Sequence, residues 1–177
     1  LNVWTPASDG AARMPVIVWI YGGGHRLGAG SHPCAWGDHL AAKGCVVVAP
    51  NYRVGAHGYL AHPELTGESG SSGNYACLDI LAALRWVRDN IAAFGGDPGC
   101  VTLYGQSAGG ALINVLLASK LTRGLVHRAI IASAGRMHGG PMGHSRTLTQ
   151  AEQDGANLMN ARAAHDIAGM RALSPPP

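Results

Sequence analysis

The sequence has one phenylalanine, and only 6% of its residues are aromatic and 13% charged, which excludes an aromatic-rich core and a heavily charged surface. Lysine and arginine never cluster. A net charge of +3 is too small and too scattered to mark a nucleic-acid or membrane-surface partner. No apolar run approaches the roughly 20 residues that a membrane-spanning helix requires. The four cysteines, Cys34, Cys45, Cys77 and Cys100, stand singly without CxxC spacing, which argues against a zinc site. Cys45 opens an apolar run and Cys77 sits in a helical one, so both read as small buried hydrophobes. No metal and no organic cofactor is expected. The chain opens on "LNVWTP", with neither an initiator methionine nor a signal-like leader, and closes on "SPPP". Both ends read as interior to a domain, so the expectation is a fragment. Compartment and oligomeric state stay open.

What is present is an alternation of strand and helix patterns. The chain of 177 residues, 47% of them hydrophobic and 26 of them glycine, suits one domain with a sizeable core and many tight turns. "VIVWIY" (16–21), "CVVVA" (45–49), "VTLYG" (101–105) and "AIIAS" (129–133) are short, apolar and rich in β-branched residues, as strands buried on both faces are. From 77 to 94, Cys77, Leu81, Leu84, Val87, Ile91 and Phe94 recur at spacings of three and four, with Arg85, Arg88 and Asp89 opposite. That is an amphipathic helix able to cover a sheet, closed by the turn residues "GGDP". Residues 108–120 form a second helix, apolar nearly all round and so expected to be buried. The stretch 53–74 reads as a long loop, and "TQAE" as a capping box with Thr149 as N-cap and Glu152 as its return partner. These elements predict an α/β fold with a mostly parallel sheet and flanking helices.

The chemistry centres on Gly105-Gln106-Ser107-Ala108-Gly109, set between a strand and a helix. A sharp strand-to-helix turn would lift the serine hydroxyl clear of the sheet, and it needs small residues two before and two after the serine. The helix that follows directs its N-terminal N–H groups and positive dipole end towards the position where an oxyanion would develop. Upstream, "WIYGGGH" (19–25) places glycines directly after another strand, where N–H groups can turn inward unobstructed. In α/β-hydrolases such a loop donates to the oxyanion together with the N–H of the residue after the nucleophile. The expected donors are Gly23, Gly24 and Ala108, with Ser107 as nucleophile.

The sequence resembles the type-B carboxylesterase family, which includes bacterial carboxylesterases, para-nitrobenzyl esterases and cholinesterases. The resemblance rests on "LNVWTP", "PVIVWIYGGG", "VVVAPNYRVGAHGYL", "GNYACLDILAALRWVRDNIAAFGGDPGCVTLYGQSAGG" and "RGLVHRAIIASAG", in family order over most of residues 1–135. It implies an α/β-hydrolase fold truncated before its last strands, with 1–135 as core and 136–177 as the start of the helical region. It implies a serine carboxylesterase acting on a small-molecule ester through an acyl-enzyme. A non-catalytic adhesion or binding module on the same fold, or a lipase- or amidase-type hydrolase, are the alternatives.

Departures from the family pattern are informative. His25 stands where the family usually has an aromatic residue, and Tyr21 where histidine is more usual. Gln106 replaces the acidic residue that cholinesterases carry beside a cationic substrate, which points to a general esterase. His25 and Gln106 are thus the substrate-pocket candidates. Ile80 and Leu112 are expected to be packing changes. In the resembling family the triad acid and histidine follow the nucleophile by more residues than this chain contains, so they are expected beyond Pro177 and the chain alone should be nearly inactive. His127, His138, His144 and His165 follow Ser107, and His57 and His62 precede it. Each of the four that follow reads by default as a solvated or loosely packed histidine.

Overall fold

The computed structural model describes residues 1–134 and 146–174. In chain order the elements are β1 (Asn2–Trp4), β2 (Met14–Ile20), α1 (Asp38–Ala41), β3 (Val46–Ala49), α2 (Gly55–Tyr59), α3 (Pro63–Ser69) and α4 (Tyr75–Asn90). Then come β4 (Gly96–Gln106), α5 (Ala108–Ala118), β5 (Arg128–Ala132), α6 (Leu148–Ala161) and α7 (Ile167–Ala172). The strands form one sheet in the order β1-β3-β2-β4-β5. Only β1 runs antiparallel, against β3; the β2–β3, β2–β4 and β4–β5 pairs are parallel.

The period-two pleat sends Val16, Val18 and Ile20 of β2, Val46 and Val48 of β3, and Val101 and Leu103 of β4 to one face. There they meet Ile80, Leu81, Leu84 and Val87 of α4 and Leu112, Ile113 and Leu116 of α5. Fully burying such a side chain is worth about 1.5–3 kcal/mol, so this two-layer contact dominates the stability of the sheet. Ile80 and Leu112, the two departures on these helices, both lie inside it. A second cluster, Leu65, Met159, Ala164 and Ile167, joins α3 to α6 and α7.

The chain connections place a functional end on the sheet. From β2 the chain moves to β3 on one side and then crosses to β4 on the other. The order therefore reverses between the carboxyl ends of β2 and β4, where open α/β sheets form their binding crevice.

Several local expectations need correction. The stretch 53–74 holds α2 and α3 rather than an unbroken loop; Pro63 at the helix start and the left-handed Gly70 at its end delimit α3. The helix read from 77 to 94 starts at Tyr75 and tightens into a 3₁₀ turn at Ile91–Phe94. The strand read at 101–105 begins at Gly96, because the turn is completed by Gly95 alone, in the left-handed region. The capping box uses Thr147 and Gln150, not Thr149 and Glu152. Glu152 is engaged elsewhere, accepting a hydrogen bond from Thr66 Oγ1 of α3 at 2.6 Å. Nor is α5 buried all round, since Val115 and Leu117 are exposed. On β5, the edge strand opposite β1 among the described residues, Ile130 and Ile131 point to opposite faces and both are exposed. Cys45 and Cys77 are half-buried rather than fully buried, and both, like Cys100, are free.

Candidate active site

Ser107 occupies the single residue between β4 and α5, with φ 55° and ψ −123°. A side-chain-bearing residue rarely adopts a positive φ, and holding one there costs about 1–3 kcal/mol unless the surroundings enforce it. Here they do. The Ser107 N–H donates to the Ala132 carbonyl of β5 at 2.9 Å, and its carbonyl accepts from Ala111 N–H at 3.0 Å to start α5. The flanking glycines permit the reversal. A Cβ on Gly105 would lie 2.7 Å from the Gly109 carbonyl carbon and 2.8 Å from Ile113 Cδ1. One on Gly109 would meet the Ile20 carbonyl oxygen, and lie 2.6 Å from that of Tyr21. The sequence requirement for small residues on both sides of the serine thus has a definite cause: helix α5 sits directly on the backbone of β2 and β4.

The glycine loop leaves β2 beside this turn. Ile20 pairs with Gly105 in the β2–β4 ladder, so Gly22 and Ser107 each follow their paired residue by two positions. A Cβ on Gly22 would lie 2.8 Å from the Gln106 carbonyl oxygen and 3.1 Å from Ser107 Cβ. Two backbones thus touch where the nucleophile is expected. The Gly23 carbonyl accepts from Arg26 N–H at 3.1 Å and from Leu27 N–H at 3.3 Å, closing a turn over 23–27. Across a trans peptide the N–H of Gly24 points away from that carbonyl, out of the turn. Among the described residues the N–H groups of Gly23, Gly24 and Ala108 donate to no protein acceptor. Of the pocket candidates, Gln106 is exposed, with Oε1 3.0 Å from the Cβ position of Gly22, and His25 is half-buried.

A sequence profile of the carboxylesterase family matches residues 1–164. The chain belongs to the carboxylesterase family. It is 46% identical over 160 residues to the fumonisin B1 esterase of Sphingopyxis macrogoltabida, an alignment covering 89% of this chain and 29% of that protein. Against liver carboxylesterase 1F of Rattus norvegicus the identity is 50% over 135 residues, covering 75% and 23%. Among solved structures, a carboxylesterase of Geobacillus stearothermophilus superposes with a TM-score of 0.84 at 38% identity, over 98% of this chain and 37% of that one. A PNB esterase superposes with a TM-score of 0.78 at 41% identity, over 91% and 32%. The fold is accordingly the α/β-hydrolase fold, and the chain spans less than a third of the curated relatives it matches.

Within this carboxylesterase fold the other histidines are dispersed. His127 Nδ1 accepts from Val101 N–H at 3.2 Å, midway along β4 and six residues before Ser107. His62 is buried as the N-cap of α3, accepting from Glu64 N–H, while His57 and His165 are exposed. His138 and His144 lie outside the described residues. Among the described residues no histidine hydrogen bonds to Ser107, and no group of three His, Cys, Asp or Glu could hold a metal ion. No helix among them is long and apolar enough to cross a membrane.

Sequence reasoning missed the supports behind the loop. Tyr21 and Tyr52 stack with centroids 4.2 Å apart; each hydroxyl donates to the other's carbonyl, at 2.9 and 2.5 Å. Burial raises both phenols above their ordinary pKa, so both keep their protons for donation. Asp79 accepts from Arg53 N–H at 2.9 Å and from Arg53 NH2 at 2.8 Å, anchoring the segment after β3 to α4. Tyr59 meets His25, with its hydroxyl 2.7 Å from Nδ1. Each pairing joins residues more than 25 positions apart, so no local pattern announces it.

Proposed function

We propose that this chain is the N-terminal part of a serine carboxylesterase, with 1–135 as the hydrolase core and 136–177 as the start of the helical region. Ser107 Oγ attacks the ester carbonyl, and the N–H groups of Gly23, Gly24 and Ala108 donate to the oxyanion that forms. Collapse of the tetrahedral species expels the alcohol and leaves an acyl-serine, which water hydrolyses to the acid. The base histidine and its acid partner come from sequence outside this chain. The observation that carries the reading is the strained Ser107 held against a glycine loop whose N–H groups are unspent. Such a donor is worth about 3–4 kcal/mol to a transition state. Gln106 and His25 border the substrate, a small-molecule carboxylic ester.

The test uses the whole protein that carries this sequence. It is expected to hydrolyse short-chain aryl or alkyl esters and to be labelled at Ser107 by an organophosphonate. Ser107→Ala is expected to abolish labelling and to lower kcat by roughly 10⁵–10⁶-fold. Unchanged turnover in that variant would overturn the assignment, and a wild-type protein that neither turns over esters nor labels would favour a binding module.

A further inference from the structure

His25 follows the glycine loop directly and is held in the left-handed region, with φ 63°. For a residue with a Cβ that conformation costs about 1–2 kcal/mol, so something must hold it. Two contacts do so. The His25 carbonyl accepts from Gly55 N–H at 2.7 Å, and its Nδ1 lies 2.7 Å from the Tyr59 hydroxyl. The rings meet edge to face, 4.9 Å between centroids. Gly55 and Tyr59 are the first and last residues of α2, so one short helix grips His25 at both its backbone and its ring. Helix α2 in turn packs on α4, and Tyr59 packs against the main core cluster.

The direction of the hydrogen bond follows from chemistry. A phenol is a better donor than an imidazole N–H, and an imidazole nitrogen a better acceptor than a phenol oxygen. Burial raises the Tyr59 phenol above its ordinary pKa and lowers that of His25, so the proton stays on the phenol and the ring stays neutral. The arrangement is therefore Tyr59 O–H donating to Nδ1, with the His25 proton on Nε2. Nε2 has no hydrogen-bond partner among the described residues, so only Nδ1 ties the ring down.

We propose that Tyr59 and His25 form a positioning pair that sets the glycine loop for catalysis. Turn 23–27 begins at Gly23 and passes through His25, so a ring fixed by Tyr59 fixes the peptide that carries the Gly24 N–H. Neither residue touches the reacting atoms in this role; they act through the loop. The inference rests on the esterase reading, because only there does the aim of that N–H matter.

Tyr59→Phe keeps the ring and removes the donor. In the whole protein, kcat is expected to fall about tenfold with KM within twofold, since a misaimed oxyanion donor acts on the transition state and its complete loss costs about 10²–10³. Nitrogen-15 NMR of histidine-labelled protein supplies a readout that activity does not. In the wild type His25 is expected as a single Nε2–H tautomer, and in Tyr59→Phe as an exchanging mixture. A wild-type His25 that is averaged, or protonated on Nδ1, overturns the pair whatever the activity. So does a folded Tyr59→Phe enzyme with wild-type kcat. Turnover lost in Ser107→Ala but intact in Tyr59→Phe removes the pair alone, whereas turnover surviving Ser107→Ala removes the pair and the esterase reading together.

Discussion

Gly109→Ala should separate the turn at Ser107 from the loop beside it. In an exposed helix interior this substitution would add up to about 1 kcal/mol of stability through helix propensity. Here the added methyl would be driven against the Ile20 carbonyl oxygen and would lie 2.6 Å from the Tyr21 oxygen and 2.8 Å from the Ile20 carbonyl carbon. All of these are backbone atoms at the carboxyl end of the central strand β2 and the residue that follows it, so none can swing aside as a flexible side chain could. Overpacking of this kind costs typically 1–3 kcal/mol, and the rigid partners place it at the upper end. The net expectation is a loss of about 2 kcal/mol. Gly67→Ala in α3 is the matched control: nothing lies within 4 Å of its Cβ position, and its φ is not positive. It should stabilise by about 0.5–1 kcal/mol. Urea denaturation of both variants measures the difference. Because α5 carries Ser107 and β2 carries the glycine loop, the displaced helix should also slow phosphonate labelling by about 10²-fold. A Gly109→Ala protein as stable and as quickly labelled as the wild type would refute the packing argument.

Two further expectations concern the supports. Burial works to raise the Asp79 carboxyl, but the hydrogen bonds from Arg53 outweigh it and hold the group below its ordinary value. A depressed folded-state pKa means the pair stabilises the fold above the ordinary carboxylate value, about 4, and that this is lost as pH falls through the lower folded value. Asp79→Asn should therefore cost about 1 kcal/mol at neutral pH, Arg53 being half exposed, and flatten the acid limb of the stability profile; an unchanged limb would argue against the pair. Thr147→Ala should destabilise α6 by about 1 kcal/mol through loss of its N-cap, and Thr149→Ala should leave the thermal midpoint nearly unchanged. A loss confined to Thr149→Ala would return the cap to Thr149.

How much was legible in the sequence varied with the range of the interaction. The strands at Val16–Ile20, Val46–Ala49 and Val101–Gly105 and the helix covering them follow from apolar runs and a 3.6-residue period, which are local properties of the chain. The candidates Ser107, Gly23, Gly24 and Ala108 came from tight turns after strands, which demand small residues at fixed offsets, and from the likeness of the glycine loop to that of α/β-hydrolases. The sequence by itself thus determined the α/β alternation, the strand-to-helix turn at Ser107 and the glycines that let it form. The tertiary structure decided which turns meet. The switch in strand order brings Gly22 within contact of Ser107, and burial beside α2 joins His25 to Tyr59 across 34 positions. It also turned Glu152 from a helix cap into a partner for Thr66, and left β5 at the edge. Local patterning sets what each segment can become, whereas these contacts depend on which surfaces packing brings within hydrogen-bond distance, a choice that sequence periodicity does not encode.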